Sequence, residues 1–194
     1  ELDLVNPTNP YGKTKLEIEK FLNCIQVSKK KNWKIANLRY FNPAGAHHSG
    51  IIGDSPKGKF NNIFPLLLKV ASKEITHLKI FGSKWPTPDG TCIRDYVHIM
   101  DLVEGHLYVM EYLLKNNAQN IIINLGRGEG ISISQLVRKF SEVNKVNIPI
   151  EFCDQRQGDV ARLVTDNSLA KNMLNWVPKR TIEEICKDSW NWKL

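Results

Sequence analysis

The 194-residue sequence lacks any apolar run of the length that a membrane span requires, about 20 residues, so we predict no membrane segment. It also lacks a C-x-x-C pair, because Cys24, Cys92, Cys153 and Cys186 lie far apart. This spacing argues against a disulfide scaffold or a structural zinc site. We interpret the cysteines as reduced, mostly buried thiols of a cytoplasmic protein, and a disulfide pair or a zinc site is the open alternative.

A motif for metal binding is missing as well. The pairs His47-His48 and Asp95-x-x-His98 hold ligand-type side chains, but neither provides three ligands at regular spacing. We therefore predict no metal site.

The charge is unbalanced, with 27 Lys and Arg against 20 Asp and Glu, a formal net charge of +7. Such a balance favours anionic partners, namely phosphates, nucleic acid or an acidic surface. The densest run, residues 29–31, is Lys-Lys-Lys at a predicted helix end, where cations are favourable. Because the remaining positive charge is scattered, we predict no nucleic-acid partner, and a basic polyanion-binding module is the rival of another class.

Predicted helices and strands alternate along the chain, which indicates an α/β fold with parallel strand pairs. The apolar fraction of 42% is large enough for a core. Residues 42–54 and 82–91 are predicted loops. Predicted helices cover 9–30, 60–73, 100–116, 133–143, 167–175 and 181–192, and predicted strands cover 34–41, 77–81, 120–125 and 149–152.

The segment NPYGKTK, residues 9–15, places Tyr11 four positions before Lys15 on the first predicted helix. Positions 11, 15, 18, 22 and 25 share one helical face, and Ile18, Leu22 and Ile25 make it apolar. This pattern predicts that Tyr11 and Lys15 point inward, where a lysine needs a partner or a cleft. An ammonium beside a phenol stabilises the phenolate and favours a general base. A buried tyrosine with a lysine that reaches the surface is the competing interpretation.

Six segments in the same order make the chain resemble the UDP-glucose 4-epimerase family of extended short-chain dehydrogenases/reductases. They are NPYGKTKLEIEKFL, LRYFNPAGAHHSG, GKFNNIFPLLLKVA, IFGSKWPTPDGTCIRDYVHIMDLVEGH, NLGRGEGISISQLV and DQRQGDVARLVTDNSLAKNMLNW. The resemblance implies a partial Rossmann-type parallel sheet, with residues 1–40 as the end of an NAD-binding domain to which later strands return. Residues 41–194 would form mainly a small C-terminal UDP-sugar-binding lobe.

The glycine-rich turn that holds the NAD pyrophosphate in this family has no counterpart here. The nearest segment, NLGRGEG, has Ile131 where the fingerprint needs its third glycine, so we interpret it as a plain strand-to-helix turn. We therefore expect a C-terminal fragment that is inactive by itself.

The resemblance assigns NAD as the cofactor and a UDP-hexose as the substrate, interconverted at C4 through a 4-keto intermediate. Tyr11 would be the catalytic base and Lys15 its partner, which also bonds the nicotinamide ribose, and Tyr40 would line the nicotinamide side. The predicted substrate-binding residues are Asn42, Asn62, Ile63, Phe81, Arg94, Tyr96, Arg156, Asp159 and Leu163.

Within that set, Arg94 and Arg156 would clamp the diphosphate and Asp159 would accept from the ribose hydroxyls. Leu163 stands where family members set substrate width, which leaves glucose and N-acetylglucosamine both open. A UDP-glucuronate or UDP-N-acetylhexosamine 4-epimerase and a dehydratase are the rival enzymes. The family also implies a homodimer of the full-length enzyme, formed through the helix that bears Tyr11.

Overall fold

The computed structural model describes residues 1, 7, 9–28, 32–58, 62–117 and 120–194. The predicted lysine run 29–31 and the first two residues of the predicted helix 60–73 lie outside the described residues. Within the described ranges the helices are α1 Pro10–Val27, α2 Ile63–Ala71, α3 Ile99–Lys115, α4 Ile133–Asn144, α5 Ser168–Leu174 and α6 Ile182–Lys193. The strands are β1 Ile35–Tyr40, β2 Asn42–Ala44, β3 Leu78–Phe81, β4 Ile93–His98, β5 Asn120–Leu125, β6 Gly130–Ser132, β7 Ile150–Cys153 and β8 Arg162–Leu163.

Helix α1 begins where its local signals predict. The side-chain oxygen of Asn9 accepts a hydrogen bond from the backbone N–H of Gly12 at 2.8 Å, and Pro10 is the first helical residue. Both are favourable at a helix start, because an N-cap oxygen satisfies an unpaired N–H and proline has none to lose.

The predicted inward face of α1 is wrong at its start. None of the helix's residues, all of which are described, is buried, and Tyr11, Lys15 and Ile18 are exposed. The later positions of the predicted stripe, 22 and 25, are half-buried. Beside them Glu19 forms a two-point ion pair with Arg39 of β1, with N–O distances of 2.8 and 2.7 Å. The apolar periodicity therefore predicted only part of the face that meets the rest of the chain.

Strands β1 and β5 pair in parallel from Ile35–Asn120 to Tyr40–Leu125, as the alternation of elements predicted. Helices α3 and α5 pack against them around a core that contains Val97, Ile123 and Leu125, each fully buried. The start of α3 is fixed by the buried Asp101, whose carboxylate accepts from the backbone N–H and the guanidinium of Arg180.

Strand β4 lies outside the predicted strands, and part of the predicted loop 42–54 is strand β2. The two pair in parallel from Asn42–Tyr96 to Ala44–His98, while β6 pairs with β4 antiparallel and β8 pairs with β4 in parallel. The charged residues Arg94 and Asp95 interrupt the apolar pattern of β4, so the sequence did not predict a strand there. Their charges are tolerated in the strand because distant parts of the chain bond them.

A second core joins the parallel pair β3–β7 to helices α2, α4 and α6, with Leu67, Leu78, Phe140 and Ile185 nearly or fully buried. Two of these helices start at capping boxes, Ser132 with Gln135 and Thr181 with Glu184. Each box satisfies two backbone donors at a helix start.

All four cysteines are described and free, but only Cys92 and Cys186 are buried, so the expectation of mostly buried thiols holds for half of them. Burial raises the pKa of Cys186 to about 12, which keeps its thiol protonated and unreactive at neutral pH.

Across the described residues, no helix combines the length and apolar character of a membrane span.

Candidate functional site

One cavity of about 1130 Å³ collects most of the side chains that the sequence singled out. It opens between the ends of β1 to β4, the loop after β2 and the start of α2. Ten of the twelve predicted site residues line it: Tyr11, Tyr40, Asn42, Asn62, Ile63, Phe81, Arg94, Tyr96, Arg156 and Asp159. Lys15 and Leu163 do not belong to its lining.

The tyrosine and the lysine of α1 lie together, as their spacing predicted. The Nζ of Lys15 is 5.1 Å from the centroid of the Tyr11 ring, within the range of a cation–π contact. Tyr11 is 71% exposed and Lys15 is also exposed, which corrects the expectation of an inward ammonium. Tyr11 still belongs to the cavity lining, where it is the one contribution from α1.

Tyr40 is held by a histidine that sequence reasoning missed. Its hydroxyl lies 2.7 Å from Nε2 of His106, whose Nδ1 lies 2.8 Å from the carbonyl oxygen of Leu102. Because a carbonyl can only accept, Nδ1 carries the proton in the neutral ring and Nε2 accepts from the phenol. The orientation of Tyr40 in the cavity wall is therefore fixed by α3.

Two guanidinium groups face the cavity from different elements. Nη1 of Arg94 on β4 donates to the carbonyl oxygens of Ile93 and Val160 at 2.9 and 2.8 Å, and its Nη2 lies 3.9 Å from Asp159. Cζ of Arg156 lies 3.6 Å from the centroid of the Phe81 ring. Both cations are held in place and keep donors that could meet an anion, which suits a phosphate-bearing ligand.

The remaining predicted residues form the walls between these groups. Burial raises the pKa of the Tyr96 phenol well above its ordinary value, so this tyrosine stays neutral. Nδ2 of Asn42 donates to the carbonyl oxygen of Asp95 at 3.1 Å. Asn62 precedes α2 without a capping hydrogen bond from its side chain, which leaves its exposed amide available to a ligand. Leu163 pairs with Arg94 in the sheet and is 48% exposed, but it is not among the residues that line the cavity.

The buried carboxylate of Asp95, next to Arg94 in β4, fixes the turn after β5 to that strand. It accepts from the backbone N–H groups of Arg127 and Gly128 at 2.9 Å each and from that of Thr165 at 3.2 Å. Two backbone N–H groups of the glycine turn after β5 are thus already bonded to the Asp95 carboxylate. This agrees with the interpretation of NLGRGEG as a plain turn and excludes it as a phosphate cradle.

The far wall of the cavity includes side chains that the sequence did not single out. They are His47, Ile52 and Asp54 on the loop after β2, and Ser189 and Trp192 on the C-terminal helix. Helix α6 reads as an ordinary amphipathic helix, and its contact with a loop about 140 residues earlier leaves no local signal in the sequence.

The fold and this cavity define an α/β protein built on part of a Rossmann-type sheet, with a basic cleft beside a tyrosine–lysine helix. Residues 1–189 match the family model described as GDP-mannose 4,6 dehydratase, and the chain belongs to that family.

Within this family, the chain is similar in sequence to proteins named UDP-glucose 4-epimerase. The UDP-glucose 4-epimerase of Bacillus subtilis (strain 168) is 44% identical over 186 residues, which are 96% of this chain and 54% of that protein. The bifunctional UDP-glucose 4-epimerase and UDP-xylose 4-epimerase 3 of Arabidopsis thaliana is 40% identical, over 95% of this chain and 52% of its own length. The chain spans about half the length of these curated relatives.

The chain is also similar in structure to solved UDP-glucose 4-epimerases. A UDP-glucose 4-epimerase from Bifidobacterium longum in complex with NAD+ and UDP superposes with a TM-score of 0.92 at 36% identity, covering 100% of this chain and 58% of that one. One from Stenotrophomonas maltophila, with bound NAD and formylated UDP-arabinopyranose, gives 0.94 at 35% identity, over 100% and 57%. The predicted resemblance and the predicted α/β, Rossmann-like fold are confirmed.

Proposed function

We propose that this chain forms the nucleotide-sugar-binding part of an NAD-dependent UDP-glucose 4-epimerase, which interconverts UDP-glucose and UDP-galactose. The observation that carries the proposal is the shared cavity, which brings Tyr11, Arg94 and Arg156 together from three distant segments. Relatives and solved neighbours that bear this activity in their names cover nearly the whole chain.

The wall of the cavity suits a diphosphate-linked sugar. Its lining includes three basic residues, Lys79, Arg94 and Arg156, and two acidic ones, Asp54 and Asp159. These five residues give an excess of one positive charge. Arg94 and Arg156 hold the diphosphate, because planar guanidinium forks match phosphate oxygens. Asn42 lies near the diphosphate, Asp159 accepts from the ribose hydroxyls, and Tyr96 faces the substrate.

The base of the nucleotide lies against the ends of β3 and α2. Phe81 already carries the Arg156 guanidinium on its face, so the ring and the cation form one surface. Asn62 and Ile63 complete this part of the wall.

In the reaction, the phenol oxygen of Tyr11 takes the proton from the sugar 4-hydroxyl as C4 is oxidised to a ketone, and returns it when C4 is reduced from the other face. The Lys15 ammonium, whose Nζ lies 5.1 Å from the centroid of the Tyr11 ring, is the partner of this base in the proposal. NAD supplies the hydride acceptor and donor when bound. Tyr40, held by His106, forms the wall on the nicotinamide side.

The described residues fit only part of an NAD site. Tyr11, Lys15 and Tyr40 would hold the nicotinamide ribose side, but the donors of the glycine turn after β5 belong to Asp95. We therefore propose that this chain alone binds UDP but neither retains NAD nor turns over substrate. In this proposal residues 1–40 complete an NAD-binding domain and residues 41–194 form mainly the substrate lobe.

Helix α1 would also carry the homodimer contact of the full-length enzyme. Ile18, Phe21 and Val27 on it are 51%, 65% and 60% exposed, and such apolar side chains on one helix are available to a partner surface.

Isothermal titration calorimetry with UDP and with NAD tests the proposal, and Arg156→Ala is the informative variant. We expect UDP binding by the unaltered chain and about tenfold or greater weakening in Arg156→Ala, because one charge-assisted phosphate contact is lost. Arg127→Ala is the matched control, since that arginine pairs with Glu129 and lies outside the cavity lining.

Three results would overturn parts of the proposal. Absence of UDP binding by the unaltered chain would remove the substrate role. Equal weakening in Arg127→Ala would show a non-specific charge effect, as the rival polyanion-binding module predicts. Micromolar NAD binding or measurable epimerisation would refute the claim that the chain is inactive by itself.

A further inference from the structure

The loop after β2 forms one wall of the cavity, and its conformation depends on the C-terminal helix. Residues 47–54 form this segment, the cavity loop. Ile52, Gly53 and Asp54 line the cavity, and Ile51 and Ile52 are 76% and 67% exposed. Within the loop, the backbone N–H of His47 donates to the carbonyl oxygen of Ile52 at 2.9 Å, and that of Gly50 donates to His47 at 2.9 Å.

Two consecutive side chains of α6 donate hydrogen bonds to the backbone of the cavity loop. Nδ2 of Asn191 donates to the carbonyl oxygen of His48 at 3.0 Å, and Nε1 of Trp192 donates to that of Asp54 at 3.3 Å. These bonds reach the two ends of the loop, about 140 residues away in sequence. Both acceptors are backbone groups, so the bonds fix the path of the chain rather than one side chain.

The contact is also close in a steric sense. A Cβ on Gly53 would overlap the indole ring of Trp192, and a Cβ on Gly50 would lie 2.9 Å from Nδ2 of Asn191. Gly50 has a φ of 71°, which favours glycine by itself. Gly53 has no such backbone requirement, so the ring of Trp192 alone explains why a side chain does not fit there.

The same helix is fixed to the strand that carries Arg94 and Tyr96. The fully buried His98 ends that strand, its Nδ1 accepts from the backbone N–H of Met100 at 3.0 Å, and its Nε2 lies 3.2 Å from Asp188 on α6. Since Nδ1 accepts, Nε2 carries the proton and donates to the carboxylate. One helix therefore contacts both the strand that carries Arg94 and the cavity loop.

We propose that Asn191 and Trp192 are positioning residues, which hold the cavity loop at a set distance from β4 and thereby shape the cavity for its ligand. His98 and Asp188 fix the helix against the strand. That the ligand is a UDP-sugar rests on the proposed function, whereas the positioning of the loop does not.

Hydrogen exchange of the His47 and Gly50 amides tests the positioning directly, because both amides are bonded inside the loop. Trp192→Phe keeps a ring over Gly53 but loses the indole N–H, and Asn191→Ala loses the amide donor. Each variant removes one hydrogen bond, so we expect these two amides to exchange about fivefold faster. Lys193→Ala is the control, since Lys193 is on the same helix but pairs with Glu74, and exchange in the loop stays unchanged.

A double-mutant cycle separates positioning from general support of the fold. Gly53→Ala speeds loop exchange about tenfold or more when Trp192 is present, because the new methyl group displaces the ring. In a Trp192→Ala background the same substitution adds little, since the obstacle is gone, and the two effects are coupled. Equal effects of Gly53→Ala in both backgrounds, or unchanged exchange in both Trp192→Phe and Asn191→Ala, would overturn the inference.

Calorimetry with UDP-glucose on the same variants connects the loop to binding. We expect affinities about threefold to fivefold weaker in Trp192→Phe and Asn191→Ala than in Lys193→Ala, with the melting temperature lowered by no more than about 4 °C, the effect of losing about one hydrogen bond. If the unaltered chain binds no UDP-glucose, the proposed function fails while the exchange data still decide the positioning. If binding persists at full strength in variants with a mobile loop, the loop does not shape the cavity for ligand.

Discussion

Strand β4 and helix α1 both contribute to the candidate site, but they are held in opposite ways. Buried polar contacts hold β4, where Asp95 and His98 are fully buried and bonded to groups distant in sequence. Helix α1 contributes no buried residue, and its side-chain hydrogen bonds to the sheet come from Glu19 and Asn23. The strand that carries Arg94 is therefore held more firmly than the helix that carries Tyr11.

We expect the largest effect on stability from Asp95→Ala, which removes a polar contact that holds β4. The substitution removes a fully buried carboxylate that is the acceptor of three backbone N–H groups, and we expect a loss of about 4 kcal/mol in the free energy of unfolding. Urea denaturation followed by circular dichroism measures it. Asp95→Asn is the milder partner, since one oxygen remains to accept, and it should cost clearly less. A loss below about 1 kcal/mol for Asp95→Ala would contradict the role given to this carboxylate.

A smaller effect is expected from pH, through His98. Burial is the main cause that lowers the pKa of His98, against the opposing effect of its bond to Asp188. The unfolded chain, with a histidine pKa near 6.5, then binds more protons than the folded chain as pH falls. Stability from this residue is present above about pH 6.5 and is lost as pH drops below it.

Urea titrations at a series of pH values between 7 and 5 measure this dependence. His98→Asn keeps a side chain that can accept from Met100 at the start of α3, and it should flatten the decline. His48→Asn, an exposed control, should leave the decline in place. A slope that is the same in all three proteins would rule out His98 as its source.

The smallest effect belongs to α1. Lys15→Ala should change the free energy of unfolding by less than about 0.5 kcal/mol, because the ammonium is exposed and its contact with Tyr11 lies in water. UDP binding should also stay unchanged, as Lys15 lies outside the cavity lining. A loss of 2 kcal/mol or more on the scale of core substitutions would mean that α1 is held as firmly as β4.

The same two regions show how far sequence reasoning reaches. The start of α1 was predictable because Asn9 and Pro10 act locally, and the β1–β5 pair followed from two apolar runs. The face of α1 that meets the sheet was predictable only in part, since its ion pair joins Glu19 to a residue 20 positions away. Strand β4 escaped prediction because Arg94 and Asp95 interrupt its apolar pattern.

The site shows the same division between local and distant information. The cavity residues from Tyr11 to Asp159 came from motifs that the chain shares with a family, whereas physical patterns alone left each of them with an ordinary alternative. His106 and Trp192 were missed because their partners, Tyr40 and Asp54, are distant in sequence and nothing near them signals a contact.

An NMR titration of the ¹⁵N-labelled chain with UDP tests the central claim most directly, because it locates the nucleotide site without requiring catalysis or NAD. We predict saturable shifts of amides in β3, in β4 around Arg94 and in residues 156–159, with α1 unaffected, since UDP lacks the hexose that would reach Tyr11. Absence of saturable shifts, or shifts confined to α1 and the scattered surface lysines, would contradict a nucleotide-sugar cavity in this chain.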